Sequence, residues 1–208
     1  MNKTLDIALP KGRLGDGVCA LLKSAGYASP EILPGDRRLI FDDADAGVRF
    51  FFVKPSDVSI YVENGAADVG IAGLDILLEY EPDVFDLCDV GIGKCKIAVA
   101  GKKGFKISGE RPLKVATKFV NITKKYFAET GRSVEIFKLN GSIELAPILG
   151  MTDVIVDIVE TGATLRENGL EVIREIMPIS AHLIANKSSF RFKSDEIERL
   201  KNALVKGK

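Results

Sequence analysis

The chain has 208 residues, 46% hydrophobic and 28% charged, with Lys plus Arg and Asp plus Glu both numbering 29. A chain of this length buries roughly 70% of its unfolded surface and needs no disulfide or metal staple to fold. The balanced charge gives no support for a nucleic-acid partner or an acidic membrane surface, so any anion site must be local.

Residues 1–10 contain too short an apolar run, interrupted by Asp6, for a signal peptide, and no run elsewhere is long enough to span a bilayer, so the chain reads as cytoplasmic. Cys19, Cys88 and Cys95 are odd in number and lack metal-ligand spacing, which fits reduced thiols. The only histidine, His182, falls in a predicted strand and reads as a satisfied or exposed strand residue rather than a catalytic imidazole.

Residues 5–9 read as the first strand, and Pro10-Lys11-Gly12-Arg13 leads into a helix with Val18, Leu21, Leu22 and Ala25 at helical spacing. The macrodipole disfavours cations at a helix start by up to about 1 kcal/mol. Lys11 and Arg13 therefore suit an anionic ligand, with a solvated pair of charges as the alternative. Residues 37–41 and 48–53 read as strands around a turn-rich 42–47, and Lys54-Pro55 begins a helix that Gly65 closes. A turn, a short buried strand and a glycine elbow follow, leaving Gly73 and Asp75 at a strand's carboxyl end, where open α/β sheets bind ligands. Asp75 would look much the same as an ordinary N-cap.

A crossing between domains is expected near 91–93, before a strand at 94–100. Residues 113–117 form a predicted strand, and its helix carries Phe119, Ile122, Thr123 and Tyr126 on one face and ends at Gly131, leaving Thr117, Lys118 and Asn121 at its open end. A strand at 134–139 precedes a helix that opens at 140–144 with Ser142 as N-cap. After residues 153–169, a short strand at 170–173 leads back, 177–185 is the last strand, and 195–205 is an amphipathic helix with Ile197, Leu200 and Leu204 inward. Repeated strand, loop and helix units predict an α/β fold of two lobes with mostly parallel sheets and a cleft between them. The expected first lobe is 1–92 plus 177–208 and the second 93–176.

The stretch from 153 to 165 is the most informative. An apolar strand carrying Asp153 and Asp157 passes into Glu160-Thr161-Gly162-Ala163-Thr164 and a helix start. Gly162 allows a close turn, and Thr161 and Thr164 place hydroxyls beside amides that the first helical turn leaves without partners, a combination suited to phosphate. Asp157 could hold ribose hydroxyls or a magnesium-bound water. The plain alternative is a strand and capped helix of any α/β protein.

An ordered series of motifs carries more weight than this loop alone: LPKGRL at 9–14, SDV at 56–58, YVE at 61–63, ADVGIAGLD at 67–75, LNGSIELAP at 139–147 and DVIVDIVETGATLRENG at 153–169. Over nearly the whole chain, the series resembles the short-form ATP phosphoribosyltransferases. The resemblance implies a fold similar to type II periplasmic binding proteins, ATP and phosphoribosyl pyrophosphate as substrates, and Mg2+ held mainly by substrate. It also implies a regulatory subunit resembling histidyl-tRNA synthetase, with the chain a homodimer within a hetero-oligomer and lacking the regulatory domain that ends the long form.

Position by position, Asp157, Glu160, Thr161, Gly162, Ala163 and Thr164 match the phosphoribosyl pyrophosphate loop. Lys11 and Arg13 match basic residues on the nucleotide and pyrophosphate side, and Lys54 with Arg37 or Arg38 matches cations near the pyrophosphate. Gly73, Asp75, Thr117, Lys118, Asn121, Glu144 and Asp153 match positions for ATP or the cleft wall. Two features depart from the common phosphoribosyltransferase pattern. Val156-Asp157 replaces adjacent acidic residues, and Glu160 would repel a phosphate unless its side chain turned away. The implied reaction is attack of adenine N1 on C1 of the phosphoribosyl group. A non-catalytic small-anion binding module of the periplasmic type, or a phosphoribosyltransferase with another acceptor, are the rival expectations.

Overall fold

The computed structural model describes residues 4–27, 38–109 and 111–206. It divides into two compact units: Met1–Leu77 with Glu81–Gly93 and Ser180–Lys208, and Leu78–Tyr80 with Lys94–Ile179.

The first unit is built on β1 (Leu5–Pro10), β2 (Ile40–Asp43), β3 (Val48–Val53), β4 (Val69–Gly73), β5 (Phe85–Asp89) and β11 (Ala181–Ala185), in the order β2-β3-β1-β4-β11-β5. β1 is buried almost throughout because both faces of the sheet are covered. Helices α1 (Arg13–Ser24) and α8 (Ser194–Lys206) lie over one face. Val18, Leu21 and Leu22 from α1 and Ile197, Leu200 and Leu204 from α8 pack with Ile7, Phe50 and Leu183 in one core. Helix α2 (Val58–Glu63) covers the other face, with Val58 and Val62 packed with Ala8, Ala72 and Ile184. Helix α3 (Leu74–Tyr80) follows β4, and its last turn belongs with the second unit.

A buried polar cluster ties the C-terminal helices to this sheet. The Asp68 carboxylate accepts from Asp6 N at 2.8 Å, Ser189 Oγ at 2.7 Å and Lys193 Nζ at 2.5 Å. Asn186 caps α7 (Lys187–Phe192) and donates through Nδ2 to Val62 O and Glu63 O.

The second unit contains β6 (Cys95–Lys102), β7 (Leu113–Thr117), β8 (Val134–Lys138), β9 (Val154–Val159) and β10 (Leu170–Ile179), in the order β10-β6-β9-β7-β8. Its helices are α4 (Val120–Glu129), α5 (Leu145–Ile148) and α6 (Ala163–Glu167).

Both sheets are mixed, which corrects the expectation of mostly parallel pairing. Four pairings are parallel and five antiparallel. The parallel trios β3-β1-β4 and β9-β7-β8 come from the strand and helix units. The β2–β3 hairpin and strands β5, β6, β10 and β11, which carry the chain out of one unit and back, supply the antiparallel pairs. The return path also differs from expectation. Residues 170–179 form one strand with register shifts at Val172/Arg174 and Glu175/Met177, and β11 starts after Ser180. Those irregularities blur the side-chain alternation that would otherwise mark a single strand. Residues 40–43, rather than 37–41, pair with β3, and Arg37 lies outside the described residues. No described helix is long and apolar enough to cross a membrane.

Candidate active site

In the first unit, register brings the basic residues to one edge. β1 and β3 finish level, Pro10 opposite Val53, so Lys11 and Lys54 leave the sheet side by side, and Lys11 N donates to Val53 O at 2.8 Å. Parallel pairing of β4 with β1 brings Gly73 to the same edge. The turn into α1 depends on two glycines. Gly12 has φ 79° and ψ −161°, a region other residues reach only under strain. A Cβ on Gly15 would lie 2.0 Å from Pro10 O, so the first turn of α1 sits directly on the end of β1. Lys11 and Arg13 are thereby held exposed at the sheet edge, and Lys54 is exposed at the start of a short 3-10 turn, Pro55–Asp57.

Asp75 is not the N-cap of α3. That position is Gly73, and Asp75 follows two residues later, 9% exposed. Its Oδ1 lies 2.2 Å from where a Gly73 Cβ would stand, so the carboxylate folds back over the strand end and would have to move aside for any side chain at 73. Arg38 precedes the edge strand β2, its guanidinium 5.0 Å from the Phe41 ring centroid.

In the second unit, β7 and β9 are parallel neighbours with Thr117 opposite Val156, which makes Lys118 and Asp157 neighbours too. Lys118 Nζ lies 3.8 Å from Asp157 Oδ1, and that oxygen also accepts from Ile158 N at 2.8 Å. Three residues beyond Asp157 comes the loop. Gly162 takes the left-handed conformation, φ 71° and ψ 11°, and precedes α6. Thr161 Oγ1 accepts from Ala163 N at 3.3 Å, and Arg166 Nη1 donates to Thr161 O at 2.9 Å. Thr161, Ala163 and Thr164 are exposed. Glu160, also exposed, borders with Lys96, Arg166 and Glu171 a cavity of about 290 Å³ beside the loop.

Other expected positions have structural employment. Thr117 is fully buried; its Oγ1 donates to Val156 O at 2.7 Å and accepts from Phe119 N at 2.9 Å. The start of α4 is filled by the buried Glu79, whose carboxylate accepts from Asn121 N at 2.9 Å and Ile122 N at 3.1 Å, while Asn121 Nδ2 donates to Glu79 O. Asp153 stands at the opposite end of β9 from the loop, paired with both Arg111 Nη atoms and with Lys114 N. The Arg111 hydrogen bonds hold its carboxyl below the ordinary 3.8. Ser142 is not the N-cap of α5 either. It adopts φ 48°, and the half-buried Glu144 takes that position without a side-chain cap bond. His182 sits in β11 with Nδ1 2.9 Å from Asp86 Oδ1 on β5, a satisfied strand histidine.

Sequence reasoning missed Glu79 and Arg166. Nothing in the sequence links Glu79 to a helix start 42 residues away. Arg166 has a weak signal, a cation in the last turn of a helix short enough for it to reach back to the preceding loop.

A family model described as ATP phosphoribosyltransferase matches residues 54–206. The chain is 57% identical over 197 residues to the ATP phosphoribosyltransferase of Brachyspira hyodysenteriae, covering 94% of this chain and 96% of that one. The Bacillus subtilis protein of the same name is 48% identical over 204 residues, with 98% and 95% covered. Among solved structures, a chain of the ATP phosphoribosyl transferase (HisG:HisZ) complex from Thermotoga maritima superposes with a TM-score of 0.82 at 38% identity, covering 98% of this chain and 97% of that one. The periplasmic aliphatic sulphonate binding protein SsuA from Escherichia coli matches with a TM-score of 0.64 at 14% identity, covering 99% and 72%, a likeness of fold alone. With a family model over most of its length and relatives near half identity end to end, the chain belongs to the ATP phosphoribosyltransferase family.

Proposed function

We propose that the chain transfers the 5-phosphoribosyl group of phosphoribosyl pyrophosphate to N1 of the adenine of ATP, releasing pyrophosphate, as the first step of histidine biosynthesis in the cytoplasm. The observation that carries this reading is the second unit's pair of adjacent strand ends, which sets Asp157 and Lys118 before an exposed loop with two threonines and a left-handed glycine. Thr161, Thr164 and the loop amides would take the 5-phosphate, and Asp157 the ribose hydroxyls. In the first unit, Lys11, Arg13 and Lys54 at one sheet edge would receive phosphates, with Arg37 or Arg38 assisting and Asp75 beside them at the strand end.

Adenine N1 already carries a lone pair and needs little activation. The bond from C1 to the pyrophosphate oxygen breaks as N1 closes on C1, so positive charge grows on the ribosyl ring while negative charge grows on the leaving group. Catalysis then rests on orientation and on fixed cations rather than on a covalent intermediate. Among the described residues, no three His, Cys, Asp or Glu side chains group to hold a metal. Asp157 is the carboxylate beside the loop, a donor set that fits Mg2+ carried on substrate phosphates. The ion would act as a Lewis acid toward the leaving pyrophosphate.

The Thermotoga maritima relative was solved as a complex of two kinds of chain. We propose an equivalent partner here, a regulatory subunit resembling histidyl-tRNA synthetase around a homodimer of this chain. The test mixes the protein, with and without that partner, with ATP, phosphoribosyl pyrophosphate and Mg2+ and follows the absorbance of N1-alkylated adenine. Product is expected. Binding of phosphoribosyl pyrophosphate without product, even with the partner present, would replace the enzyme by a small-anion binding module.

A further inference from the structure

We propose that Arg166 is a positioning residue for the phosphate loop, a role that rests on the reading of residues 160–164 as the site of the 5-phosphate. The Thr161 carbonyl takes no main-chain donor from the loop or helix turns around it, and Arg166 Nη1 supplies one at 2.9 Å. The same nitrogen lies 3.2 Å from where a Cβ on Gly162 would stand, so the guanidinium lies against the turn itself. Position 162 is also the point at which the chain turns left-handed. The peptide between Thr161 and Gly162 is the one most free to rotate, since glycine tolerates either orientation.

The direction of that peptide matters to an anion. With its carbonyl bound to Arg166, the Thr161 oxygen is committed away from any other role, and Thr161 Oγ1 is left to accept from Ala163 N across the turn. Without the guanidinium, a peptide flip would turn a carbonyl dipole toward the space that a phosphate occupies, and the loop would have to reorganise on binding. Arg166 also sets a positive charge against a loop that begins with Glu160, offsetting the repulsion that this carboxylate exerts on phosphate. A lysine would keep the charge but carry it on a flexible stem without the planar fork, so it should restore part of the function. Arg166 touches the loop carbonyl and no reacting atom, which makes its effect one of binding rather than turnover.

The test compares Arg166→Ala, Arg166→Lys and Thr161→Ala with the parent in the active assembly. It uses steady-state kinetics on both substrates, calorimetry with ribose 5-phosphate, and thermal unfolding. Arg166→Ala is expected to raise KM for phosphoribosyl pyrophosphate about fivefold or more, in line with the loss of one charge-assisted hydrogen bond. Its kcat and its KM for ATP should hold within about twofold, the Kd for ribose 5-phosphate should weaken in parallel, and Arg166→Lys should lie between it and the parent. If Thr161→Ala weakens ribose 5-phosphate while Arg166→Ala binds it as the parent does, the role of Arg166 is overturned and the loop reading stands. A lowered unfolding temperature with both KM values unchanged would equally reduce Arg166 to a structural residue. If neither change affects ribose 5-phosphate, the loop reading fails and the inference falls with it.

Discussion

Two strand-to-helix junctions stand next to each other in the second unit, and they have been put to opposite uses. β7 leads through Thr117 and Lys118 into α4, and β9 leads through Asp157 and the threonine loop into α6; both strands are parallel and in register. At the first junction the chain is its own ligand. Glu79, 4% exposed, places its carboxylate on the amides of Asn121 and Ile122, and the Thr117 hydroxyl is spent between Val156 O and Phe119 N. At the second, the Ala163 amide is met by the hydroxyl of Thr161 rather than by a distant side chain, and Arg166 fastens the Thr161 carbonyl. A helix start is an anion site only where the fold has not already supplied the anion. The difference lies in long-range contacts rather than in the local motif.

Breaking the filled junction should cost the most. Glu79→Ala leaves the backbone donors of Asn121 and Ile122 without their acceptor in a buried place, while the bond from Asn121 Nδ2 to the residue's own carbonyl survives, an expected loss of about 3 kcal/mol. Glu79→Gln keeps one acceptor and should lose less. Urea unfolding measures both. A change below about 1 kcal/mol for the alanine variant would mean that water replaces the carboxylate and that the junction is not closed.

Thr117→Val and Thr161→Ala sharpen the comparison because the same kind of hydroxyl is removed at each junction. Thr117→Val is nearly isosteric but strands Val156 O and Phe119 N, so stability should fall by about 2 kcal/mol while the ratio of the two KM values stays at the parent's. Thr161→Ala, and likewise Thr164→Ala, should leave stability within about 0.5 kcal/mol and raise KM for phosphoribosyl pyrophosphate several-fold over that for ATP. Equal effects on both substrates would remove the loop from the phosphoribosyl site. Lys54→Met should lower kcat by weakening support for the leaving group, and unchanged turnover would take Lys54 out of the mechanism.

Much of this was legible in the sequence because it is local. The spacing of Val18, Leu21 and Leu22, or of Ile197, Leu200 and Leu204, sets each helix and its buried face, and all six are buried. The loop at 160–164 follows from one glycine and its neighbours, and Gly162 is left-handed. What was illegible depends on who meets whom. Asn121 and Thr117 read as open because Glu79 lies 42 residues from Asn121 and Val156 lies 39 from Thr117. The antiparallel pairs other than the β2–β3 hairpin escaped notice because strand direction in a mixed sheet depends on where the chain re-enters, not on the composition of a segment. Ser142 has the composition of a cap, yet it takes a left-handed turn and leaves the N-cap position to Glu144.

The two ends of β9 give the subtlest contrast. Asp157 lies toward the loop, while Asp153, just before the strand, is held by the Arg111 guanidinium through two bonds and by Lys114 N. Those bonds keep the Asp153 carboxyl below its ordinary 3.8, so its ionised form contributes stability above that pH and the contribution disappears as pH falls through the folded value. Arg111 is exposed to solvent, which screens the pair and keeps the effect small. Asp153→Asn should therefore leave both KM values alone and shrink the difference in unfolding midpoint between pH 6 and pH 3, conditions chosen to bracket the ordinary carboxylate range of about 4. If the variant kept the parent's acid sensitivity and raised KM for either substrate, Asp153 would act on ligand after all, and the assignment of the two ends of β9 to different work would be wrong.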